Sequence, residues 1–150
     1  AGVDAVLADE TLPRDVPLAR MVGPDGRVVA VDIQPRMLAR LRRRAERVGL
    51  AGRIDARPAE GETLCVDDLA GRADFTAAIH VVHEVPDPVR FLKEIHVALR
   101  PGGQLLISEP KGHVSAADFE ATRRAAEETG FSVVDHEAVR GDRSLLLAKG

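Results

Sequence analysis

Apolar positions along the chain fall into two alternating kinds of run. Short, nearly unbroken runs occur at 27–32 (RVVAVD) and 73–82, the latter rich in Ala, Val and Ile, and have the character of strands buried on both faces; the short run at 53–57 reads as another strand. Between them lie longer stretches in which apolar residues recur every three or four positions. Over 35–48, Met37, Leu38, Leu41, Ala45 and Val48 share one side, six arginines lie mostly on the other, Pro35 opens the segment and Gly49 closes it. Over 88–99, Val89, Leu92, Ile95, His96 and Leu99 share a side ahead of the stop Arg100-Pro101-Gly102-Gly103. Ser115 caps a third helix over 116–129, and Gly130 ends it. Residues 58–71 read as loop with one helical turn at 66–70. Strands follow at 104–109, 131–139 and 144–149, the last two joined by the turn Gly141-Asp142-Arg143.

Strands alternating with helices imply right-handed crossovers and a mostly parallel sheet covered on both faces. The closing connection is too short for a parallel crossover, so the last strand must run antiparallel to its neighbour. Together with a core strand near the start of the chain, the pattern predicts a doubly wound α/β fold: a mostly parallel, seven-stranded Rossmann-like sheet with an antiparallel last strand. The expectation is a single domain over 1–150.

Composition narrows the function. With 150 residues, 45% of them hydrophobic, the chain can bury one core. A formal net charge of -3 argues against a nucleic-acid partner, which needs a concentrated basic surface. Four Phe and no Trp or Tyr leave little from which to build a stacking platform. The arginines of 35–48, with Glu46 among them, read as a solvated face with no function assigned. Cys65 is the only cysteine, which excludes an intramolecular disulfide and a multi-thiolate metal site within one chain and fits a cytoplasmic location. With no basic neighbour in sequence, Cys65 is not read as a nucleophile. No run of about eighteen apolar residues exists, so a membrane partner is not expected either. A small molecule is.

In an open parallel sheet, ligands bind beyond the carboxyl ends of the strands. Asp32 ends the second strand, where a carboxylate can accept both hydroxyls of a ribose; capping the turn into Pro35 is the other reading, and both stay open. His80 lies on the buried strand, His83 just past it, and Glu109, Lys111 and His113 follow the fifth strand. His80, His83, Glu84, Glu109 and His113 share one rim, yet no short metal-ligand motif joins them, and a metal is not expected.

Two segments, GPDGRVVAVDIQPRMLARLRRRA and HVVHEVPDPVRFLKEIHVALRPGGQLLISEP, together resemble class I S-adenosylmethionine-dependent methyltransferases of the broad methyltransferase-domain superfamily. The resemblance covers about 17–149, and its second segment is the more specific. It implies S-adenosylmethionine as cofactor and a small-molecule methyl acceptor. Carried over, Asp32 holds the ribose and Ile33 lies against the adenine. Ala59 and Glu60 supply the adenine edge, Glu60 as the polar contact because Pro58 lacks a donor. His80 and Val81, with Val82, face the methionine part of the cofactor. His83 and Glu84 line the acceptor pocket. A base is optional for methyl transfer; His83, just past the fourth strand and with an imidazole whose ordinary pKa is about 6.5, is the candidate catalytic base, capping the loop before Pro86 is the other reading, and both stay open. The resemblance also implies that an N-terminal cover over the domain is lacking.

One stretch departs from the pattern. The loop after the first strand normally carries several glycines so that backbone can approach the cofactor, whereas 6–14 contains none. Ala8, Asp9 and Glu10 stand there instead, and the two carboxylates can meet the ammonium and sulfonium of the cofactor. This departure supports a second reading, a catalytically inactive methyltransferase-like binding or interaction module, with a homodimer through the exposed first strand as one form of it.

Overall fold

The computed structural model describes residues 4–9, 19–32, 34–136 and 141–150. In chain order these form β1 (Asp4–Asp9), β2 (Arg27–Asp32), α1 (Pro35–Arg47), β3 (Ile54–Pro58), β4 (Ala73–Ile79), α2 (Pro88–Ala98), β5 (Leu99–Pro110), α3 (Ala116–Thr129), β6 (Phe131–Asp135) and β7 (Asp142–Lys149). Among the described residues the strands line up in the order β3-β2-β1-β4-β5-β7-β6. The first five pair in parallel, and β7 runs antiparallel to both β5 and β6. The architecture is the α/β, Rossmann-like one that strand–helix alternation predicts.

Sequence accounts for most boundaries. Pro35 starts α1, where its missing N–H costs nothing. Asp87 caps α2, its carboxylate accepting from the Arg90 amide at 3.1 Å, and the Ser115 hydroxyl accepts from the Asp118 amide at 3.1 Å to cap α3. Several boundaries differ from expectation; β6, for one, ends at Asp135 where the sequence predicts a strand to 139, and β7 begins at Asp142 where it predicts 144. β4 stops at Ile79 because His80 adopts φ +55, which ends the extended run, and a single 3-10 turn follows over Val82–Glu84. β5 begins earlier, at Leu99, where its first residue pairs with Ala73 before a register shift brings Gln104 opposite Phe75.

The larger core lies under α2 and α3. Phe91, Leu92 and Ile95 from α2 and Ala126 from α3 pack on Leu105, Ile107, Leu145 and Leu147. Each such side chain contributes about 1.5–3 kcal/mol on burial. On the other side of the sheet a smaller cluster joins Ala19, Val22, Val28, Leu50 and Ile79, with Met37 against it. Covering both faces leaves the strand ends as the place where backbone and polar side chains meet solvent. The order changes direction between β1, which is followed in sequence by β2 on one side, and β4 on the other, so the switch point lies there.

Candidate functional site

A cleft opens at the carboxyl ends of β2, β3 and β4. Its walls come from Val31, Asp32 and Gln34, from the loop residues Ala59 and Gly61–Leu64, and from Val81, Glu84–Asp87 and Phe91. Apolar residues line it, Val31, Ala59, Leu64, Val81, Val85 and Phe91, together with the acidic residues Asp32, Glu62, Glu84 and Asp87, and among the described residues no lysine or arginine lines the cleft. Such a cleft favours a ligand with a flat apolar part and a positive charge.

Asp32 shapes the turn and also lines the cleft. One carboxylate oxygen accepts from the Gln34 amide at 2.7 Å, which shapes the turn into α1, and the side chain still lines the cleft. The Ala59 amide donates to the Asp32 carbonyl at 2.9 Å, so the two cleft walls are tied at their base.

The loop after β3 is built differently from expectation. Glu60 and Thr63 pair with each other through backbone N–H···O bonds of 3.1 and 3.0 Å, and Gly61 at φ +60 reverses the chain between them. That reversal carries the Glu60 side chain outside the lining and brings Gly61, Glu62 and Thr63 in. Two side chains then pin the loop. Glu94, from α2, accepts the Leu64 amide at 2.9 Å. Arg57, from β3, grips both oxygens of Asp68 at 2.6 and 2.8 Å, pairs with Asp55 at 2.8 Å, and donates to the Cys65 carbonyl at 3.2 Å. Those carboxylates hold the Arg57 guanidinium above even its usual basicity, and Arg57 holds the Asp68 carboxyl below its ordinary value. A basic neighbour therefore does stand beside Cys65, though it engages the backbone, while the thiol faces the Thr63 carbonyl at 3.9 Å.

Past β4 two histidines go separate ways. The His80 ring turns from the cleft to Asp142, with Nε2 2.7 Å from the carboxylate, and Ser108 donates to the same oxygen at 2.7 Å. The His80 amide donates to the Ser108 carbonyl at 2.7 Å. His80 thus locks β4, β5 and β7 together at the rim, and its left-handed backbone presents Val81 to the cleft in its place. His83 follows Val81 and precedes Glu84 in sequence but is not itself part of the cleft lining. Its Nδ1 meets one oxygen of Glu109, whose other oxygen accepts the Val82 amide at 2.8 Å. Glu109 is 1% exposed, so this carboxylate is held almost wholly inside the protein. The His83 ring is 22% exposed, its Nε2 lies 3.8 Å from Glu84, and His113 stacks on it with centroids 6.1 Å apart.

Of the residues expected at a cofactor site, Asp32, Ala59 and Val81 come together in the cleft, whereas Glu60 and His80 do not line it. Ala8 and Asp9 lie at the end of β1, between the ends of β2 and β4, through the pairs Ala8↔Val31 and Asp9↔Ile79. Glu10 and Ile33 fall outside the described residues, as does the rest of the glycine-free loop. Among the described residues no group of three or more His, Cys, Asp and Glu gathers to hold a metal. Sequence reading missed Arg57 and Glu94 as loop anchors and the Glu62–Leu64 wall. Only Gly61, as a marker of a reversal, signalled the last of these.

Residues 16–107 match the methyltransferase-domain family. An uncharacterised 37.1 kDa protein of transposon TN4556 from Streptomyces fradiae is 34% identical over 102 residues, 68% of this chain and 28% of that protein. The ubiquinone/menaquinone biosynthesis C-methyltransferase UbiE of Enterobacter sp. strain 638 is 33% identical over 91 residues, 61% of this chain and 36% of its own length. The chain therefore spans well under half of these curated relatives. Among solved structures, a SAM dependent methyltransferase from Aquifex aeolicus is similar with a TM-score of 0.80 and 22% identity, over 97% of this chain and 82% of that one. The cyclase SpnF is similar with a TM-score of 0.75 and 21% identity, over 90% and 54%. At these identities the structural likeness speaks for the fold alone.

Proposed function

Because the chain belongs to the methyltransferase-domain family, we propose that its cleft binds S-adenosylmethionine and that the protein transfers the cofactor's methyl group to a small-molecule acceptor. The observation that carries this reading is the cleft itself, lined by both acidic and apolar residues at the end of β2. The residues suit the cofactor: Asp32 can accept ribose hydroxyls, Ala59, Leu64, Val81 and Phe91 can enclose adenine, and the carboxylates complement a sulfonium and an ammonium. When bound, the cofactor supplies an electrophilic methyl group on a cationic sulfur.

The chain's own contribution is positioning and proton removal. A neutral His83 that donates its Nδ1 proton to Glu109 has Nε2 as a lone-pair acceptor. That nitrogen takes the proton of an acceptor whose nucleophile is an acidic O–H, N–H or activated C–H, and the buried carboxylate stabilises the imidazolium that results. The names of the UbiE relatives favour an activated carbon among these acceptors.

Isothermal titration with S-adenosylmethionine tests the proposal. Micromolar binding is expected, and Asp32→Ala should weaken it about ten- to a hundredfold through loss of hydrogen bonds to a charged acceptor. No heat at millimolar cofactor would favour the catalytically inactive module instead.

A further inference from the structure

The six arginines of α1 divide into two groups. Arg42 donates to the Ala56 carbonyl at 2.9 Å and Arg44 also has an interaction partner. Arg36, Arg40, Arg43 and Arg47 are all exposed, and among the described residues none of their guanidinium groups is engaged in a hydrogen bond or ion pair. Steps of four, three and four residues return to one azimuth on a helix of 3.6 residues per turn. They form a straight ridge, roughly 16 Å long at about 1.5 Å per residue, opposite the buried Leu38, Leu41 and Ala45.

Within the chain this ridge is unfavourable. Like charges three and four residues apart repel, and Arg36 sits in a first turn that contains no acid, against the helix dipole. Other arginines are neutralised: Arg57 by Asp55 and Asp68, Arg100 by Asp74, Arg123 by Glu120 and Glu127. A chain of net charge -3 thus keeps six arginines against one glutamate over 36–47. Two exposed aliphatic side chains flank the ridge: Val48, just past the end of α1 and about 100° round the helix from Arg47, is 44% exposed, and Met21 is 79% exposed. Met21 lies in a turn whose neighbours Ala19 and Val22 pack with Met37 and Leu50, and Arg53 donates to the Ala19 carbonyl at 3.3 Å. Ridge and aliphatics therefore share one side of the sheet.

The geometry points to this side as a peripheral docking surface for an anionic lipid bilayer, with Arg36, Arg40, Arg43 and Arg47 on the headgroups and Met21 and Val48 at the interface. Four basic residues along one helix suit a negatively charged leaflet, and methionine and valine suit its edge better than they suit bases, which call for aromatic faces. Phe91 and Phe131 are buried, and the chain has no Trp or Tyr. A surface contact needs no spanning helix, and none of the described helices is long and apolar enough to span. The expectation of no membrane partner rested on spanning alone.

Flotation with vesicles of phosphatidylcholine, and of phosphatidylcholine mixed with phosphatidylglycerol, tests this. The protein should float with the mixed vesicles only, and high salt should release it. The variant R36Q/R40Q/R43Q/R47Q, whose glutamines keep helix propensity, should lose about fivefold in partitioning per charge removed. Met21→Ser should weaken binding at constant charge. R72Q/K93Q/R124Q, which removes charge elsewhere, should float like the parent, and circular dichroism should verify that each variant is folded. Absence of the parent from anionic vesicles, equal flotation of the ridge variant, or capture of the parent by a single-stranded oligonucleotide in preference to vesicles would overturn the assignment.

Discussion

The buried carboxylate of Glu109 holds Nδ1 of His83 with one oxygen and the Val82 amide with the other. The two residues lie 26 positions apart, His83 in the 3-10 turn that follows β4 and Glu109 near the end of the adjacent β5, and the hydrogen bond from the Val82 amide restrains the carboxylate beside the ring. Glu109 is therefore a positioning residue for His83. His83→Ala should lower kcat about 10²–10⁴-fold, the usual range for a positioned base, and leave cofactor affinity nearly unchanged. Glu109→Gln keeps the volume but cannot stabilise the imidazolium. It should lower kcat and displace the pH–rate profile while KM for the cofactor stays put. A Glu109→Gln enzyme with the parent's pH profile would show the contact to be structural only.

Arg57 reaches from β3 to Asp68 and Cys65 and so tethers the wall that carries Gly61–Leu64. Its replacement by Ala should free that wall, and the cofactor would then have to order it on binding. Affinity should fall about fivefold, equivalent to about 1 kcal/mol. Lysine, which lacks the forked geometry, should restore little. Hydrogen exchange of the Leu64 amide reads the loosening directly, and unchanged protection in Arg57→Ala would contradict it.

Burial pushes the His96 imidazole below its usual range, Lys149 adds to the effect, and the Gly130 backbone opposes it. The folded state thus resists protonation, while the unfolded chain takes up its proton near pH 6.5. This contribution to stability is complete above that pH and declines as pH falls toward the depressed value in the native state. Thermal midpoints should drop on going from pH 7 to 5, and His96→Gln should flatten that part of the profile.

Gly130 meets the same ring. It ends α3 at φ +118, and a Cβ built there would lie 2.9 Å from His96 Nε2. The ring in turn stands edge-on to Phe131, with centroids 5.0 Å apart. Gly130→Ala should therefore cost about 1–3 kcal/mol from backbone strain and the displaced ring, measured by urea denaturation, and the penalty should shrink when His96 is also replaced by Ala.

How far the primary structure reaches can be judged residue by residue. Pro35, Ser115 and Gly130 mark helix ends through local chemistry, and each does so where expected. Asp32 stands at the end of a strand that its run of valines already betrays, and Ala59 and Val81 follow from position relative to such strands. Glu60 and His80 lie outside the lining, which spacing does not reveal because neighbours cannot be read from it. A bridge closed by Gly61 leaves the first exposed, and Asp142, 62 positions away, pairs with the second at the rim of the sheet.

Local order, helix periodicity and strand character were decided by the sequence alone, because they depend on residues within a few positions of one another. The pairing of His83 with Glu109, the tether from Arg57 to Asp68 and the isolation of four arginines on α1 belong to the tertiary structure. Each depends on which strand ends and loops the folded sheet sets side by side, and on which charges it leaves without a partner.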